Sequence, residues 1–388
     1  MRTLKSTIMN KFKLYFILLI ASVSLFSCQK DDPIAIVPPK EYSVQEPIER
    51  TAIDDYLKSY YILSVDDDLS VTFAPLIKTG KITTSNNSSI VTGTGTSFTN
   101  ELMVGDELFT TTNAITTSVG TVLEINNNTQ ITLTSNASLS TVVDVPIKCF
   151  VKKTTIFEQK TYPLESRPVF LHGIEYTIKY LVLREGNGTA PTNTDSVLAS
   201  YSGSYLKQTT TDNVSTVSAT SFEEVKNPSG FFSLLSVIRG WSEIFPKFKT
   251  GSYSANSNGT ISYTDFGAGV MFIPSGLAYF NSPSGTIPLY SPLVFGFKLY
   301  EISRDDTDGD GVPNKSEDLN NDDYLYSFRN TILYPTFPED GIRYADDTDK
   351  DGIPNYLDTD DDGDGYTTKF EISKGSDPLD KAKIPNNS

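Results

Sequence analysis

Near the start of the chain, apolar residues fall at helical spacing in one stretch. Ile53, Tyr56, Leu57 and Tyr60 predict a short amphipathic helix over residues 51–61. From about residue 83 the period changes to two. Ile90-Val91-Thr92-Gly93-Thr94, Glu107-Leu108-Phe109, Thr121-Val122-Leu123-Glu124-Ile125 and Gln130-Ile131-Thr132-Leu133 alternate between turn residues. They predict a small all-β module, a barrel or sandwich, over residues 83–150. Gly93 and Gly95 are followed by neither a Lys-Ser/Thr pair nor a helical pattern, which argues against a phosphate loop. Further alternating strands are expected over 176–184, 196–203, 270–273 and 293–302. Gly186-Asn187-Gly188 supplies a turn between the first two. Val237, Ile238, Trp241, Ile244, Phe245 and Phe248 form one more amphipathic stretch, and Pro246 limits its helix to a turn or two.

The first residues are of another kind. Lys5, Lys11 and Lys13 precede an apolar run over 14–26 and then Ser27-Cys28, the layout of a signal peptide over residues 1–27. The run is short for a membrane-spanning helix. Residues 28–50 are proline-bearing and without period, as a tether would be, and residues 51–82 hold the helix and a leader.

Composition narrows the chemistry. The chain has 388 residues, 38% of them hydrophobic, and a formal net charge of -16. An acidic surface is poorly suited to phosphate backbones, so no nucleic-acid partner is expected. A single histidine, His172, leaves little room for Ser-His-Asp hydrolysis or a His-built zinc site, and two cysteines exclude a disulfide framework. Whatever activity is present is expected to use neither a transition metal nor a covalent nucleophile.

Leu25-Phe26-Ser27-Cys28 resembles the lipobox of bacterial lipoproteins, although Phe26 stands where a small residue is usual. The resemblance implies cleavage before Cys28, its acylation, and anchoring in the outer membrane or at the cell surface of a Gram-negative envelope. Lys30-Asp31-Asp32 is similar to a short surface-export signal.

Three ordered motifs carry a second resemblance: Val237-Ile238-Arg239-Gly240-Trp241, Ile273-Pro274-Ser275-Gly276-Leu277-Ala278-Tyr279, and Ile287-Pro288 with Leu293-Val294-Phe295. With Tyr201-Ser202-Gly203 and Ser221-Phe222-Glu223 upstream, residues 161–303 resemble the FKBP-type peptidyl-prolyl cis-trans isomerases. The resemblance implies an α+β fold, a curved antiparallel sheet around one short helix. It also implies prolyl-containing polypeptides as partners. Trp241 would floor the pocket, and Tyr201, Phe222, Tyr279 and Phe295 would wall it. Val237 and Ile238 would add a further wall, with the Ile238 amide and the Tyr279 hydroxyl as donors and Ile287 in an overhanging loop. Glu223 stands where the family carries Asp, and Phe231 and Phe232 compete for the aromatic place before the Val-Ile pair. Residues 252–266 lengthen the stretch after the helix. These departures keep open a non-catalytic binding protein with a degenerate pocket. The chemistry suits either use. Amide resonance sets a rotation barrier of about 18–20 kcal/mol, and a dry pocket that favours the twisted amide lowers it without a nucleophile.

Residues 301–388 hold 23 Asp+Glu against 9 Lys+Arg. Their spacing is ordered. Asp306, Asp308, Asp310 and Glu317, with Gly311 at the sixth place, match a calcium loop, and Val312 would offer its carbonyl. Asp360, Asp362, Asp364 and Glu371, with the Tyr366 carbonyl, repeat the pattern. Asp347, Asp349 and Asp351, with the Ile353 carbonyl, repeat it with Asp358 in the last place. Asp318-Leu319-Asn320-Asn321-Asp322-Asp323 is a weaker echo that lacks the glycine. Pro313 and Pro354 and the missing flanking helices make residues 304–388 resemble thrombospondin type 3 repeats, which implies structural Ca2+. Because these loops follow the isomerase-like segment, calcium is expected to leave its activity nearly unchanged.

Overall fold

In this computed structural model the described residues are 38–112, 115–139, 148–211, 214–282 and 284–385. The signal-peptide segment and Cys28 lie outside them. The fold is mixed, with many antiparallel sheets and few helices.

Helix α1 (Tyr42–Ser59) opens the compact unit. It starts well before the spacing predicts, inside the proline-bearing stretch expected to be a tether. Pro47 sits in its second turn and removes one backbone donor. Tertiary contacts hold that turn instead. Tyr42 stacks on His172 at 3.7 Å, and Glu49 accepts hydrogen bonds from the Ser275 N–H and hydroxyl at 2.5 Å each.

A hairpin of β1 (Tyr60–Val65) and β2 (Val71–Pro75) leads into a β module. Among the described residues the module has six strands: β3 (Lys81–Thr84), β4 (Ile90–Thr94), β5 (Glu107–Thr112), β6 (Ile115–Asn127), β7 (Gln130–Leu133) and β8 (Lys148–Val151). They lie in the order β3-β4-β7-β6-β5-β8. Val91, Leu108, Val122 and Ile131 fill its own core, together with Phe98 of the short helix α2 (Phe98–Glu101).

The main sheet contains β9 (Leu164–Leu171), β10 (Ile174–Arg184), β11 (Ser196–Thr211), β12 (Val214–Val225), β13 (Phe232–Ser233), β16 (Gly267–Ile273) and β17 (Leu293–Ser303). Its order is β12-β11-β17-β16-β10-β9, with the short β13 also paired to β11, and every pairing is antiparallel. The lengthened stretch after residue 252 forms an exposed hairpin, β14 (Ser252–Ala255) with β15 (Ile261–Thr264).

Alternation along β16 and β17 decides what each face of the sheet buries. Met271, Ile273, Phe295 and Phe297 face α3 (Arg239–Ile244), the helix that carries Trp241. Val270, Phe272 and Val294 face α1 through Ile53, Tyr56 and Leu57. All of β16 is therefore buried, because a helix covers each side of it.

Candidate functional site

The Trp241 neighbourhood is built on α3. Ile238 is extended at the helix N-cap, and its N–H has no protein acceptor among the described residues. Helix α3 lies close to the sheet because residue 240 is glycine. A Cβ there would come within 2.5 Å of Ile273 Cγ2. Trp241 is only 5% exposed. Tyr201 and Phe295 meet its ring edge-on at 4.9 and 5.0 Å, and Phe232 lies 5.3 Å away. Its indole N–H is buried without a hydrogen-bond partner among the described residues.

Phe222 reaches the group through a local irregularity. On β12 the pairing with β11 slips between Gly203↔Glu223 and Ser204↔Ser221, so Phe222 is the unpaired residue of a bulge. Bulges re-aim side chains, and Phe222 packs edge-on against Phe295 at 5.6 Å. Gly203 leaves room for this, since a Cβ there would meet the Phe222 ring at 2.5 Å. Burial, and then the Glu223 carboxylate beside it, push the Tyr201 hydroxyl up to about 12.

Tyr201, Phe222, Val237, Ile238, Trp241, Tyr279, Ile287 and Phe295 all belong to one apolar cluster. Ile287 is buried, whereas Glu223 is exposed. The aromatic before the Val-Ile pair is Phe232, held on β13 against β11; Phe231 points to solvent. His172 takes no part in this group. Burial lowers it to about 4, and it sits at a positive φ in the β9–β10 turn with Nδ1 3.1 Å from the Tyr176 hydroxyl.

Beneath α3 lies a buried charge cluster that sequence reading did not single out. Glu243 accepts from Arg239 Nε at 2.7 Å and Arg167 Nε at 2.8 Å. The Tyr326 hydroxyl donates to the same carboxylate at 2.9 Å, and the Tyr324 hydroxyl donates to the Glu243 main-chain carbonyl at 2.8 Å. Tyr324 and Tyr326 belong to the acidic segment. That segment is therefore packed against the main sheet and α3 rather than set apart from them. Asn193 reinforces the join by exchanging hydrogen bonds with the Leu325 main chain at 2.9 and 2.8 Å.

The acidic segment folds as four loops of one geometry, starting at Asp306, Asp318, Asp347 and Asp360. In each loop the sixth N–H donates to the first aspartate: Gly311, Asp323, Gly352 and Gly365 at 2.9–3.1 Å. The seventh N–H donates to the fifth side chain at 2.7–2.8 Å, from Val312, Tyr324, Ile353 and Tyr366. The fourth and sixth residues all have positive φ, including the non-glycines Asn321, Asp323 and Lys350. The Asp318 loop is thus a full copy of the backbone without its glycine, a conformation that Asn and Asp tolerate best. Its charges are met by Lys315, whose Nζ lies 2.7 Å from Asp318 and 2.8 Å from Asp323.

Carboxylate oxygens of Asp306, Asp308 and Asp310 lie within 4.8 Å of one another, as do those of Asp347, Asp349 and Asp351, and of Asp360, Asp362 and Asp364. In the first and last loops the fit to a hard cation is direct. Among the described residues, Asp308, Asp310, Asp360, Asp362 and Asp364 each have a buried oxygen with no hydrogen-bond partner, and for Glu317 and Glu371 this holds for both oxygens. Buried, unpaired carboxylates are costly unless a cation or proton compensates them. Burial followed by Asp362 and Asp364 pushes Glu371 up to about 7. The Asp347 loop is more open. Burial, then Asp351 and Asp349 after the opposing Asp360 hydrogen bond, leaves Asp358 raised as well. The ninth side chains of the first and third loops are engaged elsewhere. Asn314 and Asn355 accept from and donate to Thr307 and Thr348 across their own loops.

Residues 307–384 match the BamM C-terminal family. That match, rather than thrombospondin type 3 repeats, is the family finding for this segment. Solved structures overlap the chain in part. A peptidyl-prolyl cis-trans isomerase from Pseudomonas syringae pv. tomato shares 25% identity over 35% of this chain and 81% of its own, at a TM-score of 0.24. FkpA from Escherichia coli shares 28% identity over 32% of this chain and 48% of its own, also at a TM-score of 0.24. The chain thus spans about half the length of FkpA. No curated protein matches the chain.

Proposed function

We propose that the chain is an extracytoplasmic peptidyl-prolyl cis-trans isomerase that assists the folding of prolyl-containing polypeptides. The observation that carries this reading is the aromatic enclosure of Trp241 by Tyr201, Phe232 and Phe295, with the Ile238 N–H left without a protein acceptor among the described residues. Apolar faces grip the prolyl ring and exclude water, so the planar amide loses solvation that its twisted, less polar form needs less. The Ile238 N–H and the Tyr279 hydroxyl would hold the flanking carbonyls. A thousandfold acceleration requires only about 4 kcal/mol of such preference. No catalytic cofactor is needed.

In this reading calcium is structural and sits in the aspartate loops. Asp306, Asp308, Asp310 and Glu317 would hold one ion and Asp360, Asp362, Asp364 and Glu371 another, each with one main-chain carbonyl, from Val312 and Tyr366. Asp347, Asp349, Asp351 and Asp358, with Ile353, would hold a third. Acylation at Cys28 would tether the chain to the membrane, and the BamM C-terminal match is compatible with an envelope location.

Glu223 favours a second reading, a binding module whose pocket has lost its rate. A protease-free assay of X-Pro isomerisation with the detergent-purified full chain separates the two. Acceleration above the thermal rate supports the enzyme. Binding of a prolyl peptide with no acceleration transfers the pocket to the second reading.

A further inference from the structure

One acidic residue outside the calcium-loop positions stands in an unusual place. Asp361 occupies the second position of the last loop, where the first and third loops carry Thr307 and Thr348. Those threonines are engaged within their own loops by Asn314 and Asn355. Asp361 keeps the equivalent backbone latch, its N–H donating to Thr368 Oγ1 at 3.2 Å. Its carboxylate points elsewhere. An oxygen of Asp361 lies within 4.8 Å of oxygens from Asp310 and Glu317, both in the first loop.

All three residues are at least nine-tenths buried: Asp310 is 3% exposed, Glu317 2% and Asp361 3%. Asp361 Oδ1, Asp310 Oδ2 and both Glu317 oxygens have no hydrogen-bond partner among the described residues. Among the described residues, no ion pair reaches any of the three. The last loop also touches the first through Lys369, whose Nζ donates to the Gly309 carbonyl at 3.2 Å.

We propose that Asp361 is a ligand of the cation held by the first loop, so that this site is built from both ends of the acidic segment. The proposal rests on the calcium reading above and extends it from single loops to a shared site. The oxygen supply fits a calcium ion. Asp306, Asp308, Asp310, Asp361 and the Val312 carbonyl give one oxygen each and Glu317 gives two, about seven in all, within the usual six to eight. A cation there staples the last loop onto the first. Its affinity then depends on the fold of a loop that does not carry the calcium pattern it completes. Tyr324 and Tyr326, which dock under α3, lie on the chain between the two stapled ends, so the staple also closes the segment that supports Trp241.

The test uses the full chain stripped with chelator and titrated with calcium, with bound ions counted by equilibrium dialysis. Asp361→Asn keeps the size of the side chain and removes its charge. It is expected to weaken one site by about tenfold or more, because ligand charge sets affinity in such loops. The site is assigned by two backgrounds. With the first loop disabled by Asp308→Asn, Asp361→Asn is expected to have no further effect. With the last loop disabled by Asp362→Asn, its full effect should remain. The reverse pattern assigns Asp361 to its own loop and overturns the proposal. So does a wild-type affinity profile in Asp361→Asn. A wild-type chain that binds no calcium overturns the loop reading itself, a result distinct from either. Melting in chelator guards against misfolding. Asp361→Asn relieves repulsion without calcium, so its melting temperature should not fall below that of the wild type, while its rise on adding calcium should shrink. A lower melting temperature in chelator would mean that the side chain supports the fold by itself, and would count against a ligand role.

Discussion

The Tyr324 hydroxyl donates to the main-chain carbonyl of Glu243 at 2.8 Å, joining the acidic segment to the helix that carries Trp241. By chain order alone the aspartate loops lie beyond that helix, which gives calcium no route to it. The contact supplies such a route, so an effect of calcium is the outcome predicted here. Chelation should lower both the melting temperature and the rate of prolyl isomerisation. Tyr324→Phe should cost about 1 kcal/mol, read as a fall of a few degrees in melting temperature. An unchanged rate in chelator would show that α3 holds its place without the loops.

Glu243 is buried between Arg167 and Arg239. Removing one partner of a buried charge group leaves the others uncompensated, at roughly 3–5 kcal/mol. Glu243→Ala should therefore destabilise far more than Tyr324→Phe in urea unfolding, and it should move the Trp241 fluorescence of the folded state. A loss below about 1 kcal/mol would mean that water replaces the carboxylate.

Gly240 permits the close approach of α3 to β16. Gly240→Ala places a methyl within 2.5 Å of Ile273 Cγ2 and should destabilise by about 1–3 kcal/mol. Ile273→Ala removes Cγ2, so the two substitutions together should cost less than the sum of their separate losses. Purely additive costs in the double variant would show that the helix shifts instead of the side chain.

Within the pocket, Tyr279→Phe removes one hydroxyl, worth about 0.5–1.5 kcal/mol, and should lower kcat/KM by a few-fold to roughly tenfold. Phe222→Ala removes a wall and should lower it further. Both lie at the partly exposed rim, so both variants should still melt cooperatively. Equal kcat/KM in wild type and Phe222→Ala would take the bulged residue out of the binding surface.

The cation-free tail should respond to pH with a definite sign. Burial, then Asp308 and Asp361, pushes Glu317 up to about 9, and burial, then Asp310 and Asp308, pushes Asp361 up to about 8. Between their ordinary values and these raised ones, the folded state binds more protons than the unfolded chain. Stability without calcium should therefore be greatest in acid and fall as pH rises toward about 9. Calcium must displace those protons, so its binding heat at neutral pH should vary with the ionisation heat of the buffer. A chelated tail whose melting is flat from about pH 5 to pH 9 would contradict this.

Local patterns were legible in the sequence. Alternation marked the strands of the β module and of the main sheet, because a side chain every second residue must face a core. Pro246 bounded α3, and the aspartate spacing with Gly311, Gly352 and Gly365 marked the sharp turns, because positive φ favours glycine. The order of motifs around Trp241 also stood in the sequence. What required tertiary structure was every choice between locally equal options. Phe232 and Phe231 are neighbours of the same type, and only the pairing of β13 with β11 turns Phe232 toward Trp241. Helix α1 runs through Pro47 because contacts of Tyr42 and Glu49 with the distant Phe280 and Ser275 fix a turn that local propensity disfavours. Asp323 adopts a turn that glycine marks elsewhere, with Lys315 beside its charge. The approach of Asp361 to Glu317, and of Tyr324 to Glu243, joins residues far apart in the chain. Such contacts leave no period or spacing in the sequence, since they are set by which faces remain to be buried once the local elements have formed.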